Sequence, residues 1–229
     1  MKNRILIIVA TLMLGLVCAA QEREVTKFLG IPVDGTKSEM IQKLKAKGFT
    51  PTKADRNILE GEFNGRDVYV HVVTNNRKVC RIMLADVNHV DEADIKIRFN
   101  NLARQFANNP NYAGSDEQVI PDDDDISYEM SVNNKRYEAV FYQVGSEFSD
   151  SSMTEKAQSL LAVFSREEIQ DSTPEAKEKL EQAKYRGLLE LLSLRLNRPV
   201  WFLISESYGK YYICMFYDNE YNKADGEDL

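Results

Sequence analysis

Histidine and cysteine are scarce in this chain of 229 residues, with two and three copies, and only six prolines interrupt it. So few cysteines exclude a disulfide-dense scaffold. Two histidines leave little for chemistries that draw on clustered imidazoles. Also missing are G-x-S-x-G, the P-loop, C-x-x-C, H-E-x-x-H and the dinucleotide glycine fingerprint. The sequence therefore points to no catalytic residue, no cofactor and no metal. Positive charge is in deficit as well, 29 Lys+Arg standing against 36 Asp+Glu for a net charge of -7. Nucleic-acid binding needs clustered cations to neutralise phosphates, so no nucleic-acid partner is expected.

What is present begins with an address. Lys2 and Arg4 precede an uncharged apolar run from Ile5 to Ala20, and Gln21 to Glu24 turn abruptly polar. A charged start, an apolar middle and a small-residue end are the parts of an export signal. The run is shorter than the ~20 residues that cross a bilayer as a helix, and no later segment is apolar enough to be transmembrane. Residues 1–20 are thus expected to be removed, leaving a mature chain from Gln21 with net charge -9 once Lys2 and Arg4 are gone. A minority alternative is a lipid anchor through Cys18, although Val17 replaces the small residue usual before a lipoprotein cysteine. The expected location is exported, periplasmic or secreted. Cys80 and Cys214 remain in the mature chain, and two buried thiols are favoured over a bridge, which requires Cα atoms within about 7 Å.

Periodicity gives the architecture. Thr36-Lys37-Ser38-Glu39 has the form of a capping box, Met40, Ile41 and Leu44 share a face, and Gly48 closes a helix over 37–47. Strands over 58–63, 66–74 and 78–85 alternate as a meander, with Asn64-Gly65 suited to a type I′ turn and Asn75-Asn76 at the next. Asp91 to Asp94 start a second helix whose stripe is Ile95, Phe99, Leu102, Ala103 and Phe106. A hairpin is expected from Ile126–Val132 and Lys135–Gln143. Third and fourth helices are expected near 152–164 and 173–196, then a hairpin from Val200–Glu206 and Lys210–Tyr217. Laying Lys135–Gln143 on Lys210–Asp218 suggests a weak repeat.

These elements predict an α+β fold: an antiparallel sheet of about seven strands, a meander plus two hairpins, with about four helices on one face. One domain over 21–218 is expected, with a possible subdivision near 108–125 and an acidic mobile tail over 219–229.

The segment F-L-G-I-P-V-D-G-T-K-S-E-M-I-Q-K-L-K-A-K-G-F, Phe28 to Phe49, resembles the opening of a group of uncharacterised exported proteins of Gram-negative gut bacteria. The shared features are F-x-G-I-P, the G-[ST] before a helix and K-L-x-x-K-G-F at its end. The resemblance implies an envelope or secreted location. A helix followed by a meander also resembles outer-membrane assembly lipoproteins and β-lactamase-inhibitor-like domains, which work by binding proteins.

Few residues stand out as chemical candidates. His71 lies in a strand, with Cys80 on the next, but a reactive thiol needs an electropositive setting that Val79 and Ile82 do not offer. His89 reads as a loop or capping residue, and Asp122 to Asp125 as a solvated acidic loop rather than a calcium site. Aromatic residues crowd the last two hairpins. Of these, Tyr137, Tyr142, Trp201, Tyr212 and Tyr217 are the expected binding residues, since amphipathic rings are common at interaction surfaces. The expected function is non-enzymatic binding in the bacterial envelope, to a protein or a glycan. The alternatives are a carboxylate-based glycoside hydrolase, which needs only two acids about 5 to 9.5 Å apart, or a structural envelope component.

Overall fold

A computed structural model describes residues 24–114, 118–145, 182 and 196–224. The described residues begin with a short hairpin, β1 (Lys27–Phe28) and β2 (Ile31–Pro32), followed by helix α1 (Lys37–Ala46). Both halves of the predicted capping box form: Glu39 N donates to Thr36 Oγ1 at 3.3 Å, and Thr36 N donates to Glu39 Oε2 at 3.0 Å. The strands β3 (Thr50–Pro51), β4 (Ile58–Phe63), β5 (Arg66–Asn75) and β6 (Lys78–Asp86) then run as one antiparallel meander.

Asn64 and Gly65 adopt φ of 51° and 71°, as a type I′ turn requires. The next turn falls on Asn76 and Arg77, one residue later than the sequence suggests. A bulge after Val73 shifts the register there.

Helix α2 (Glu92–Ala107) leads into β7 (Tyr112–Gly114), helix α3 (Ile126–Val132) and β8 (Glu138–Gln143). The strands β9 (Pro199–Ser207) and β10 (Lys210–Asp218) complete the sheet, and a 3-10 turn follows at Glu220–Asn222. The sheet order is β3-β4-β5-β6-β10-β9-β8-β7, with every pairing antiparallel. Among the described residues, each half of the sheet has one short edge strand and three longer strands preceded by a helix, with α3 inserted between β7 and β8 in the second half. The halves meet where β6 pairs β10.

That order corrects the sequence reading in four ways. The main sheet has eight strands rather than seven, because the short edge strands β3 and β7 are added and one expected strand is lost. The lost strand is Ile126–Val132, which is α3. Its residues alternate as a strand would, but the Asp125 side chain accepts from Tyr128 N at 2.8 Å, and Glu92 Oε1 of α2 accepts from Ile126 N at 2.8 Å. Capping and tertiary contact outweigh the local period. The suggested repeat of Lys135–Gln143 on Lys210–Asp218 equates β8 with β10, whereas the order of elements makes β10 the counterpart of β6.

Fourth, packing extends past residue 218. Asn219 is buried, its N donating to Cys80 O at 2.8 Å and its Nδ2 to Val33 O at 2.7 Å. The helices expected near 152–164 and 173–196 lie outside the described residues.

All three described helices cover one face of the sheet. Met40 and Leu44 of α1 and Phe99 and Phe106 of α2 pack on inward residues such as Val70, Leu84, Met215 and Phe202. Phe202 is the centre of an aromatic cluster, stacked with Phe106 and Phe141 at centroid distances of 5.8 and 6.3 Å and met edge-on by Phe99 at 5.0 Å. Among the described residues no helix is long and apolar enough to cross a membrane.

Candidate functional site

Strand alternation decides which side chains reach the second face. Register aligns His71, Met83, Phe216, Trp201 and Val140 in one row across it. The row beside it contains Val73 and Arg81 on the first half, and Asp218, Pro199 and Tyr142 on the second. Two half-buried positions, Trp201 and Tyr142, therefore meet charged residues at one end of the central strands.

Trp201 is held in place from several sides. Its ring stacks on Phe216 with centroids 4.0 Å apart and planes 19° from parallel. Its Nε1 donates to Asp218 Oδ2 at 2.9 Å, and Arg81 Nη2 donates to the same oxygen at 2.7 Å. The Arg81 guanidinium also lies 4.9 Å from the Phe216 ring centre, within cation–π range. Arg136 sits 5.4 Å from the indole centre and pairs with Glu138 at 2.8 Å. Lys223 pairs with Glu220 at 3.2 Å. These groups line a groove of about 470 Å³ with Trp201 and Tyr142 in its wall.

Three cations and three carboxylates thus ring an aromatic floor. Each acid, Asp218, Glu138 and Glu220, already faces a cation. Such paired groups can exchange one partner for another on binding, which suits recognition of a surface bearing both signs of charge.

The five expected binding residues separate. Tyr142 and Trp201 meet at the groove. Tyr212 is on the same face but apart from it, stacked on His89 with centroids 4.4 Å apart and planes 10° from parallel. Tyr137 and Tyr217 turn inward and are buried. Tyr137 donates to Asp124 Oδ2 at 2.9 Å, and burial with that hydrogen bond pushes its phenol up to about 12. Tyr217 packs against Phe28 with centroids 4.9 Å apart.

Sequence reasoning missed Arg81, Arg136, Asp218 and Lys223. A signal was available for two of them: Arg81 is a lone charge within V-C-R-I-M, and Asp218 closes the otherwise uncharged run Y-Y-I-C-M-F-Y. Lone charges in apolar strands must find each other or stay wet.

The other candidates have local explanations. Cys80 and Cys214 are free thiols, and burial raises both above the ordinary thiol value, against the thiolate that nucleophilic chemistry needs. His71 is opposite Met83 rather than Cys80. In the acidic run, Lys135 pairs with Asp124 at 2.6 Å, Lys96 Nζ binds the carbonyls of Asp122 and Asp124, and Asp125 caps α3. Lys135 is the main cause holding the Asp124 carboxyl low. Among the described residues, no group of three or more His, Cys, Asp or Glu is arranged to hold a metal ion.

Comparison with protein-family models, with curated proteins and with solved structures finds no match for this chain.

Proposed function

We propose that this chain is an exported, non-enzymatic binding protein of a bacterial cell envelope that holds a protein partner at the Trp201 groove. The observation that carries the reading is the aromatic floor of Trp201 and Tyr142 inside a ring of paired charges. An aromatic centre with a polar rim is the anatomy of protein interfaces, and Trp, Tyr and Arg are the residues in which binding energy concentrates. The likeness to helix-plus-meander domains that bind proteins points the same way. Acid-pair hydrolysis would first have to release a groove carboxylate from its cation.

Export rests on the leader in residues 1–20 and on the resemblance of Phe28–Phe49 to exported proteins. Expression of the full precursor in a Gram-negative host tests it, with a mature protein beginning at Gln21 as the expected product. A chain still carrying Met1 in the cytosol contradicts export, and an acylated Cys18 replaces free release with anchoring.

A photo-crosslinking residue at position 142 tests the groove in the same cells, with position 69, on the same face but a distant strand, as control. A discrete protease-sensitive adduct at 142 that disappears with Arg136→Ala is expected, with none at 69. Equal labelling at both positions contradicts the site, and a protease-resistant adduct makes the partner a glycan.

A further inference from the structure

Among the described residues, three hairpins of the main sheet close on two-residue turns with both central φ values positive, the type I′ pattern: Asn64-Gly65, Asn76-Arg77 and Tyr208-Gly209. Asparagine suits the first of these positions because its short polar side chain tolerates the left-handed region. Two of the turns use it. The third, joining β9 to β10, places Tyr208 there at φ of 53°. A bulky side chain in that region is strained, and strain of this kind clusters where a residue serves binding or catalysis.

Packing does not explain the choice. The small β1–β2 hairpin also carries a large residue, Leu29, at this position, but that side chain lines an apolar cavity with Phe63 and Tyr217. Tyr208 is 103% exposed, so its ring buries no area that would offset the strain. Among the described residues of β9, β10 and their turn, it is the only large hydrophobic side chain left exposed. The hairpin beneath it is braced. Val90 and Tyr211 exchange two backbone hydrogen bonds at 2.8 and 2.9 Å, and Ile204 N donates to Tyr137 O at 3.0 Å. Within the turn, Glu206 Oε1 accepts from Gly209 N at 2.5 Å. The ring is therefore presented on a fixed arm with little backbone freedom to lose on binding.

We propose that Tyr208 is the anchor of a second contact surface and docks in an apolar socket on a folded protein partner. The site goes beyond the groove: Tyr208 lies seven positions from Trp201, roughly 23 Å along a strand at about 3.3 Å per residue. Tyrosine in a desolvated pocket is a typical interface hot spot. A projecting tip without apolar neighbours calls for a concave receptor rather than a flat one. A bilayer fits less well, since stable anchoring takes more than one apolar insertion, the Glu206 carboxylate flanks the ring and the chain is net negative.

A photo-crosslinking residue at position 210, which pairs with Ser207 directly after the turn, tests this in a Gram-negative host expressing the full precursor. Position 78, which pairs with Asn75 directly after the Asn76-Arg77 turn, is the matched control. A discrete protease-sensitive adduct is expected at 210 and none at 78. Tyr208→Phe keeps both the ring and the strain and should retain the adduct within about twofold. Tyr208→Asn should lower it at least about tenfold, as loss of a hot spot does. The same substitution should raise the melting temperature of the mature chain by about 2–4 °C through relief of strain. A change that stabilises the fold and removes the adduct cannot be acting through packing. The proposal is overturned by absence of an adduct at 210, by equal labelling at 78, or by an adduct that survives Tyr208→Asn. A melting temperature lowered by that substitution, a protease-resistant adduct, or one of twice the chain's mass also overturns it. Labelling at 142 is read separately, so the groove can fail while the tip stands.

Discussion

Each face of the sheet buries one aspartate against one arginine, and the two pairs serve different ends. On the helix side, Asp86 at the end of β6 accepts from Arg98 Nε of α2 at 2.6 Å and from Ile213 N at 3.2 Å. Both side chains are nearly dry, at 6% and 10% exposure. On the second face, Asp218 accepts from Arg81 and Trp201, and Arg81 keeps 30% exposure. The first pair clamps a helix to the sheet. The second positions an indole and leaves its arginine within reach of a groove. Burial is what separates them, since an ion pair that has lost all its water can only be structural, whereas a partly wet one can still meet a ligand.

The largest effect should come from the dry pair. Asp86→Ala leaves Arg98 charged and buried and Ile213 N without an acceptor, so unfolding free energy should fall by about 3–5 kcal/mol. A urea titration reads this as a lower midpoint with an unchanged slope. Replacing both partners, Asp86→Leu with Arg98→Met, should recover most of the loss, because the stranded charge is then gone. If the single and double variants are equally unstable, the pair contributes by its own attraction and the contrast with Asp218 loses its basis.

Asp218→Ala should cost less, about 2 kcal/mol, since Arg81 can turn to water when its partner is removed. The specific signature is optical. Trp201 is the only tryptophan, so losing its hydrogen bond to Asp218 should change the near-ultraviolet dichroism and the emission of a single residue. An unchanged spectrum would mean that Phe216 alone orients the indole.

The two pairs also mark how far the sequence could be read. Local features were legible: the Thr36–Glu39 box, the Asn64-Gly65 turn and the stripe of α2 each depend on residues a few positions apart. Ile126–Val132 was not, because its alternation is compatible with a strand and the contact that decides for a helix comes from Glu92, 34 residues away. The groove was partly legible. Alternation implied that some aromatic residues must face away from the helices, and Tyr142 and Trp201 do. Arg81 and Asp218 are 137 residues apart and meet only because β6 pairs with β10, a neighbour relation that no local pattern encodes. Tyr137 and Tyr217 lie inward although a surface place is expected for them, because an aromatic residue in or beside a strand looks the same whichever face it lands on.

A smaller effect separates the faces by pH. His71 lies on the second face beside the edge of the meander, and burial, with some help from Lys37, holds its imidazole below the ordinary 6.5 despite Asp55 nearby. The unfolded chain therefore takes up the proton first as pH falls. Stability linked to His71 is complete above about 6.5 and declines as pH drops towards the lower folded value. His71→Gln should flatten the thermal midpoint between about pH 7.5 and 5 without changing it at the upper end. The same decline in wild type and variant would assign the pH dependence to the carboxylates instead.

The smallest effect on stability should accompany the clearest effect on binding. Arg136 and Glu138 are 58% and 43% exposed, and exposed pairs contribute about 0–1 kcal/mol. Arg136→Ala and Glu138→Ala should therefore leave the melting temperature within about 2 °C of wild type, as a few tenths of a kcal/mol would in a chain of this size. Arg136 nevertheless stands over the indole, and the pair supplies both charges on one side of the groove. Arg136→Ala should abolish crosslinking through position 142 and Glu138→Ala should reduce it several-fold, whereas Asp86→Ala, measured well below its melting temperature, should leave it intact. That crossing of effects, stability lost on one face and binding on the other, is what the division of labour requires. If Asp86→Ala also abolishes crosslinking in a chain shown to be folded, the two faces act as one unit.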